Sequence, residues 1–211
     1  MSAGITLQKV MMNKPFSQAC ENNKRPILNI LSEVFLENEH ILEIGSGTGQ
    51  HAVFFGQHLP HLTWQTSDLP INHQGINLWL DETSLSNVRK PIGIDLNKAW
   101  PILKNNPQVD GLYTANTLHI ISWPLVVKFF EGIAQNLAAK AVVCIYGPFK
   151  YKEKYTSESN ANFDLWLKDR DIDSGIRDIE AILSLANSAG LTLIADHVMP
   201  ANNQLLVFLK K

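Results

Sequence analysis

Hydrophobic and polar positions alternate along the chain in blocks that switch between two periods. Ile27, Ile30, Leu31, Val34 and Phe35 recur at helical spacing and predict a first helix over 26–37. Pro26 suits its first turn, where a missing N–H is harmless. Residues 40–44 read as a strand, ended by Gly45-Ser46-Gly47-Thr48-Gly49, and a helix over 51–58 stops before Pro60. A second strand is expected at 62–67, a polar helix at 72–82, and short strands at 91–95 and 109–115. A helix over 124–137 then leads to a fully apolar strand at 141–146. From 147 to 173 the pattern fails, which is too long for an ordinary connection and marks a functional or partly helical segment. A helix over 176–189 ends at Gly190, and strands at 191–199 and 204–209 follow, joined by Pro200-Ala201-Asn202-Asn203. That link is too short for a crossover helix, so the last pair is antiparallel. Strands alternating with helices predict an α/β domain with a mostly parallel sheet.

Length and composition narrow the classes. The 211 residues suit one domain with a core of its own. Within it, 1–25 reads as an N-terminal lid or arm and 147–173 as a cover over the site. The 18 basic and 20 acidic side chains leave a net charge of -2. That balance offers no general attraction for a polyanion and argues against a nucleic-acid partner. Cys20 and Cys144 match no metal-ligand spacing, so no metal is expected; Cys144 reads as a small buried hydrophobe. No apolar run approaches the ~18 residues of a membrane span, and the first ten residues lack the features of a signal peptide. A cytoplasmic protein is expected. Met11 and Met12 leave open an alternative start.

Glu43-Ile44-Gly45-Ser46-Gly47-Thr48-Gly49 carries the most chemistry. A strand entering a glycine turn that opens a helix aims backbone N–H groups and the helix's positive end at a ligand. A dinucleotide fingerprint needs its third glycine at position 50, where the chain has Gln50. The carboxylate of Glu43 would repel a pyrophosphate and suits a ligand bearing an ammonium group. Together these features favour S-adenosyl-L-methionine, held by Gly45, Ser46, Gly47, Thr48 and Gly49. Asp68, ending the second strand, is placed to accept from both ribose hydroxyls. Asp95, ending the third, can accept from the adenine amino group, or can serve a turn. Leu69 or Leu96 would pack on the adenine ring.

Through these residues the chain resembles the class I S-adenosylmethionine-dependent methyltransferases. More narrowly, it is similar to the family catalogued as domain of unknown function 938, which includes the animal methyltransferase-like 26 proteins. The motifs that carry this are Asn22-Asn23-Lys24-Arg25-Pro26, Leu42–Gln50 with His51, Trp64–Asp68, Asn116-Thr117-Leu118-His119-Ile120, Tyr146-Gly147-Pro148-Phe149, Ser159-Asn160, Gly175-Ile176-Arg177-Asp178 and Met199–Asn203. The resemblance implies a Rossmann-like class I methyltransferase fold, with helices on both faces of a seven-stranded, mostly parallel sheet whose last strand is antiparallel. It implies the methyl donor more firmly than the acceptor.

Residues at the ends of the fourth and fifth strands should face the transferable methyl: Asn116, His119, Trp123, Tyr146 and Phe149. His119 is the candidate base, since a histidine ordinarily titrates near neutrality, or it caps the following turn. Tyr146 can orient the acceptor or close the core. Arg25 can clamp the donor's carboxylate or form a surface ion pair, and Asn22 can contact donor or acceptor. Tyr155, Phe163, Trp166 and Arg170 would belong to the cover over a small-molecule acceptor. Tyr146 to Lys150 has the Y-x-x-x-K spacing of short-chain oxidoreductases, but Gly147-Pro148 forbids the helix that chemistry needs. A protein that binds the methyl donor without transferring its methyl remains the second reading.

Overall fold

The structure is a computed structural model and describes residues 13–101 and 109–211. The alternative start at Met11 or Met12, and residues 1–12 of the expected N-terminal arm, lie outside the described residues.

The chain opens with α1 (Gln18–Val34), whose N-cap Ser17 accepts a 3.3 Å hydrogen bond from the Cys20 N–H. This helix begins eight residues before the apolar pattern predicts, so Pro26 lies inside it. The cause is visible in what each turn faces. Ile27, Leu31 and Phe35 are fully buried, whereas Ala19, Cys20, Asn22 and Asn23 front the cleft and carry no helical apolar pattern. Pro26 removes one intrahelical bond, leaving the Asn22 carbonyl without its helical donor.

Then follow β1 (His40–Ile44), α2 (Gln50–His58), β2 (Thr63–Asp68), α3 (His73–Asp81), β3 (Val88–Gly93), β4 (Gly111–Ala115), α4 (Trp123–Asn136) and β5 (Val142–Gly147). The segment without a pattern holds β6 (Phe149–Tyr151), β7 (Lys154–Tyr155) and α5 (Glu158–Arg170). The chain closes with β8 (Arg177–Asp178), α6 (Ile179–Ser188), β9 (Leu191–Met199) and β10 (Asn203–Lys210). The expected helix over 176–189 starts later because its first residues pair with β6 and Asp178 becomes the N-cap, accepting from the Glu180 N–H.

Seven strands form one sheet in the order β3-β2-β1-β4-β5-β10-β9. β3, β2, β1, β4 and β5 run parallel, and β10 slots antiparallel between β5 and β9. The fold is Rossmann-like, as expected. The third strand is displaced from its expected span: Val88 to Gly93 pair with Trp64 to Asp68, which leaves Asp95 two residues beyond the strand end. Pro91 is tolerated there because β3 is an edge strand, where a missing ladder donor costs little.

Alternation along each strand divides the core between the two faces. Leu42, Leu112 and Phe208 pack with Phe129, Phe130 and Ile133 of α4 and Ile182 of α6. Their neighbours Ile41, Tyr113 and Val207 pack with Ile27, Leu31 and Phe35 on the α1 side and with Phe55 of α2. Among the described residues no helix is long and apolar enough to cross a membrane.

Gly56 of α2 shows how tightly the second face is closed. A Cβ there would stand 2.1 Å from Val88 Cγ2, a β-branched side chain with little room to turn. Gly→Ala in an exposed helix interior stabilises by about 1 kcal/mol. Gly56→Ala is instead expected to destabilise by about 1–3 kcal/mol through overpacking. Urea unfolding of Gly56→Ala and of Gly56→Ala/Val88→Ala checks this, with the second change recovering part of the loss.

Candidate functional site

All three glycines of the β1–α2 turn have left-handed backbone, with φ of 73° at Gly45, 58° at Gly47 and 89° at Gly49. Only glycine takes that region without strain, but each is fixed by a different neighbour. A Cβ on Gly45 would meet Thr117 Oγ1 at 3.0 Å, and one on Gly49 would meet the Ile76 backbone of α3 at 3.2 Å. A Cβ on Gly47 would meet nothing within 4 Å, because that residue fronts open space. The turn is stitched to β2 by Ser46 N–H donating to Ser67 O (2.9 Å) and by Ser67 Oγ donating to Glu43 O (2.6 Å).

Two carboxylates flank the turn. Asp68 Oδ2 accepts from the Gly47 N–H at 2.8 Å, while Oδ1 accepts from the Leu69 N–H and from Asn72 Nδ2, each at 2.7 Å. Glu43 is 2% exposed. Ser46 Oγ (2.8 Å) and Trp64 Nε1 (3.1 Å) both donate to its Oε2. Its Oε1 has no partner among the described residues, and Glu43 lines the cleft. Burial raises the Glu43 carboxyl to about 7, against the two donors, with the negative Asp68 adding to the rise.

The cleft has a volume of about 860 Å³ and lies outside the carboxyl ends of β1, β2, β4 and β5, where the strand order reverses. That is toward the top of the range of roughly 300–1,000 Å³ for small-molecule sites. Of the residues singled out from sequence, it brings together Asn22, Glu43, Gly45, Ser46, Gly47, Thr48, Asp68, Asn116, His119, Tyr146, Phe163 and Trp166. Gly49 stands just behind the turn as the α2 N-cap.

The others are not on the lining. Arg25 is on the exposed flank of α1, its guanidinium 5.9 Å from the centre of the Phe54 ring. Leu69 is 47% exposed beside Asp68. Asp95 accepts from the Asn97 N–H (3.0 Å) and faces Lys98 (3.3 Å), which lower its pKa. Leu96 packs partly buried against the α4 core. Trp123 starts α4 with Arg177 above its ring, and Phe149 is 2% exposed in the core. A separate hollow of about 680 Å³ at the opposite end of the sheet, beside Glu33, Glu37 and Ala139, is at the wrong end of the strands for such a ligand.

The turn after β4 opens with Asn116 at φ 55°, its N–H donating to Tyr146 O (2.9 Å). His119 follows, 5% exposed. Arg177 grips this turn by its carbonyls, donating to those of Leu118 (2.9 Å) and Ile121, and also to that of Asp173 (2.9 Å). Gly175 N–H donates to His119 O (2.8 Å). Burial and the nearby Arg177 charge pull the imidazole down to about 4, so His119 is uncharged at neutral pH.

Sequence reasoning missed a buried polar chain behind Tyr146. Tyr113 OH lies 3.2 Å from His51 Nδ1, and His51 Nε2 lies 2.7 Å from Asn23 Oδ1. Burial holds His51 down at about 4 and raises Tyr113, so the chain is neutral throughout. It also missed Gln50, whose amide accepts from the Ser17 N–H (2.6 Å) and donates to Glu21 Oε1 (2.8 Å). The residue that breaks the dinucleotide fingerprint is the one that ties α1 to the glycine turn. Tyr146 ends β5 and Lys150 lies in β6, so their four-residue spacing falls on strands and not on a helix.

Known structures share this architecture. An O-methyltransferase family protein from Burkholderia thailandensis superposes with a TM-score of 0.77 at 17% identity, covering 89% of this chain and 56% of its own. Human N-acetylserotonin methyltransferase, solved with S-adenosylmethionine, gives 0.76 at 16%, covering 92% and 53%. An O-methyltransferase family 2 protein from Planctomyces limnophilus, in complex with apigenin, gives 0.76 at 14%, covering 92% and 58%. The chain thus spans a little over half the length of each, and at these identities the likeness is one of fold. The match at the level of sequence is closer: a family described as "Protein of unknown function (DUF938)" covers residues 14–210, and this chain belongs to it.

Proposed function

We propose that the protein is an S-adenosylmethionine-dependent methyltransferase acting on a small-molecule acceptor. The observation that carries this is the Glu43 carboxylate, enclosed in the protein with one oxygen unpartnered, facing a cleft built on three left-handed glycines. A buried acceptor in that position suits an ammonium group and repels a phosphate. The open space before Gly47 admits the ligand backbone, and Asp68 stands at the end of β2 for the ribose. Neighbouring structures support the reading, since the human enzyme was solved with the methyl donor. The likeness to animal methyltransferase-like 26 proteins belongs to the same proposal.

When bound, the donor supplies an electrophilic methyl carbon on a sulfonium. The acceptor oxygen or nitrogen forms its bond to that carbon, the carbon–sulfur bond breaks with its pair left on sulfur, and the acceptor's proton leaves to His119 or water. The protein's part is alignment, holding the reacting atoms at ~3–3.5 Å. Three of the roughly four acceptor positions on Asp68 are already taken by Gly47, Leu69 and Asn72. Asp68 therefore offers one strong site to the ribose diol, held in a fixed orientation. Burial keeps the Cys20 thiol protonated, which removes it as a nucleophile.

Calorimetry is expected to show micromolar binding of S-adenosylmethionine or its demethylated product; no heat at millimolar ligand overturns the assignment. Asp68→Ala is expected to weaken that binding at least tenfold, or about 1.4 kcal/mol. Affinity should also depend on pH. Glu43 titrates at about 7 in the free protein, and its charged form receives the ammonium. Binding should therefore strengthen as pH rises from 5.5 toward 7. It should fall again only as the ligand's own amino group deprotonates, near 8. Glu43→Gln keeps an acceptor for Ser46 and Trp64 but should flatten the acid side of this profile; an unchanged acid side removes Glu43 from the ammonium site. His119→Ala is expected to abolish turnover with donor affinity preserved, read by radiolabelled methyl incorporation into metabolite extracts. Tight binding without any labelled product would make the chain a binding protein.

A further inference from the structure

The half of the cleft away from the glycine turn is roofed by α5 and holds two largely buried residues whose free polar atoms open onto it. His119 and Asn160 are each 5% exposed. Neither ring nitrogen of His119 has a hydrogen-bond partner among the described residues. Asn160 Nδ2 donates to Thr156 Oγ1 (2.8 Å) and to Asn202 O (2.9 Å), and its Oδ1 is left without one. Both residues line the cleft. These polar atoms are not shut in but open onto the cleft, where a ligand can complete their hydrogen bonds.

The rest of that wall is aromatic. Phe163 stands edge-on to His119 with ring centres 5.5 Å apart, and stacks on Trp166 at 5.7 Å with 19° between planes. Trp166 lines the cleft and is 51% exposed, with the Arg170 guanidinium over its ring at 4.6 Å. The formal charges among the described lining residues are those of Glu43 and Asp68; no Lys or Arg is among them. An anionic ligand would meet two carboxylates on the lining, while the Arg170 guanidinium lies outside it, against the Trp166 ring.

We propose that this subsite takes a neutral, planar aromatic compound bearing a hydroxyl or N–H donor, and rejects its carboxylated or phosphorylated counterparts. The ring lies against Phe163 and Trp166, and the donor completes Asn160 Oδ1 or His119. The compound is the methyl acceptor, a step that rests on the methyltransferase reading, whereas its binding does not.

The test is calorimetric titration of the full chain at pH 7.5 with 2-naphthol, 6-hydroxy-2-naphthoic acid and 1-naphthylmethylamine. Each is added with and without saturating S-adenosylhomocysteine. The neutral naphthol should bind at least tenfold more tightly than the carboxylate. Trp166→Ala, at a half-exposed position outside the core, should weaken the naphthol at least fivefold and leave S-adenosylhomocysteine affinity unchanged. Asn160→Ala should do the same. Equal or tighter binding of the carboxylate or of the amine, binding indifferent to both variants, or no binding of the naphthol overturns the proposal. If the naphthol binds as expected while S-adenosylhomocysteine does not, the subsite stands and the methyl-donor reading falls.

Discussion

A carboxylate shut into the protein at the end of β1 is the constraint around which the site is assembled. Glu43 holds the glycine turn through Ser46 and the core through Trp64, and its own carbonyl receives Ser67 of β2. One side chain thus links the turn, the second strand and the packed face under α2. Enclosing a charge that is only half satisfied is costly, which is why Glu43 titrates near neutrality. On the proposed function that cost is returned when a cationic group arrives, because binding then replaces solvation that the fold has already removed. The site is preorganised for a positive charge by being uncomfortable without one.

The other half of the cleft depends on pins that hold α5 and the β4–α4 turn in place. Asp164, 1% exposed, accepts from Tyr155 OH (2.7 Å), Lys168 Nζ (2.6 Å) and the Ile176 N–H (2.5 Å). Burial alone would raise its pKa, but these three partners outweigh burial and lower it. The same loop continues into Arg177, whose planar fork grips the carbonyls around His119. Asn160 ties α5 to the Pro200–Asn202 turn, where Ala201 and Asn202 take left-handed backbone. Strain of that kind persists only where the surroundings over-determine it, and here it borders the cleft.

The fold was legible wherever burial writes a period into the chain. The strand at His40–Ile44 and the closing hairpin follow directly from alternation and turn chemistry. Legibility fails where a helix serves a polar surface. The first two turns of α1 face the cleft, so the apolar pattern begins only at Ile27. α5 leaves no period either, because its buried positions include the polar Asn160 and Asp164 while Leu165 and Trp166 are exposed. Within the site, Glu43, Asp68 and the glycines announce themselves because their chemistry is local to one turn. Asn23, His51 and Asn160 do not, because their roles depend on contacts made by residues distant in sequence. Asp95 was misplaced by a register set in β2–β3 pairing, which no local pattern records.

The depressed histidine bears on how much base the proposed reaction needs. With His119 at about 4, taking a proton from a phenol near 10 before methyl transfer would be about 8 kcal/mol uphill. Prior deprotonation by this residue is therefore the wrong role for it. An oxygen that has gained a methyl while still holding its proton is a far stronger acid than the starting hydroxyl, so the proton then leaves downhill to a weak base or to water. What the acceptor requires beforehand is a fixed lone pair to receive its hydroxyl and aim its oxygen. A neutral imidazole supplies that better than an imidazolium, which has no lone pair to offer. The burial and, beside it, the Arg177 charge that weaken His119 as a base thus keep it competent as an acceptor, while the guanidinium's grip on the Leu118 and Ile121 carbonyls fixes where it points. Burial sets the protonation state with help from the guanidinium that fixes the position, and on the proposed function the site then delivers alignment rather than basicity.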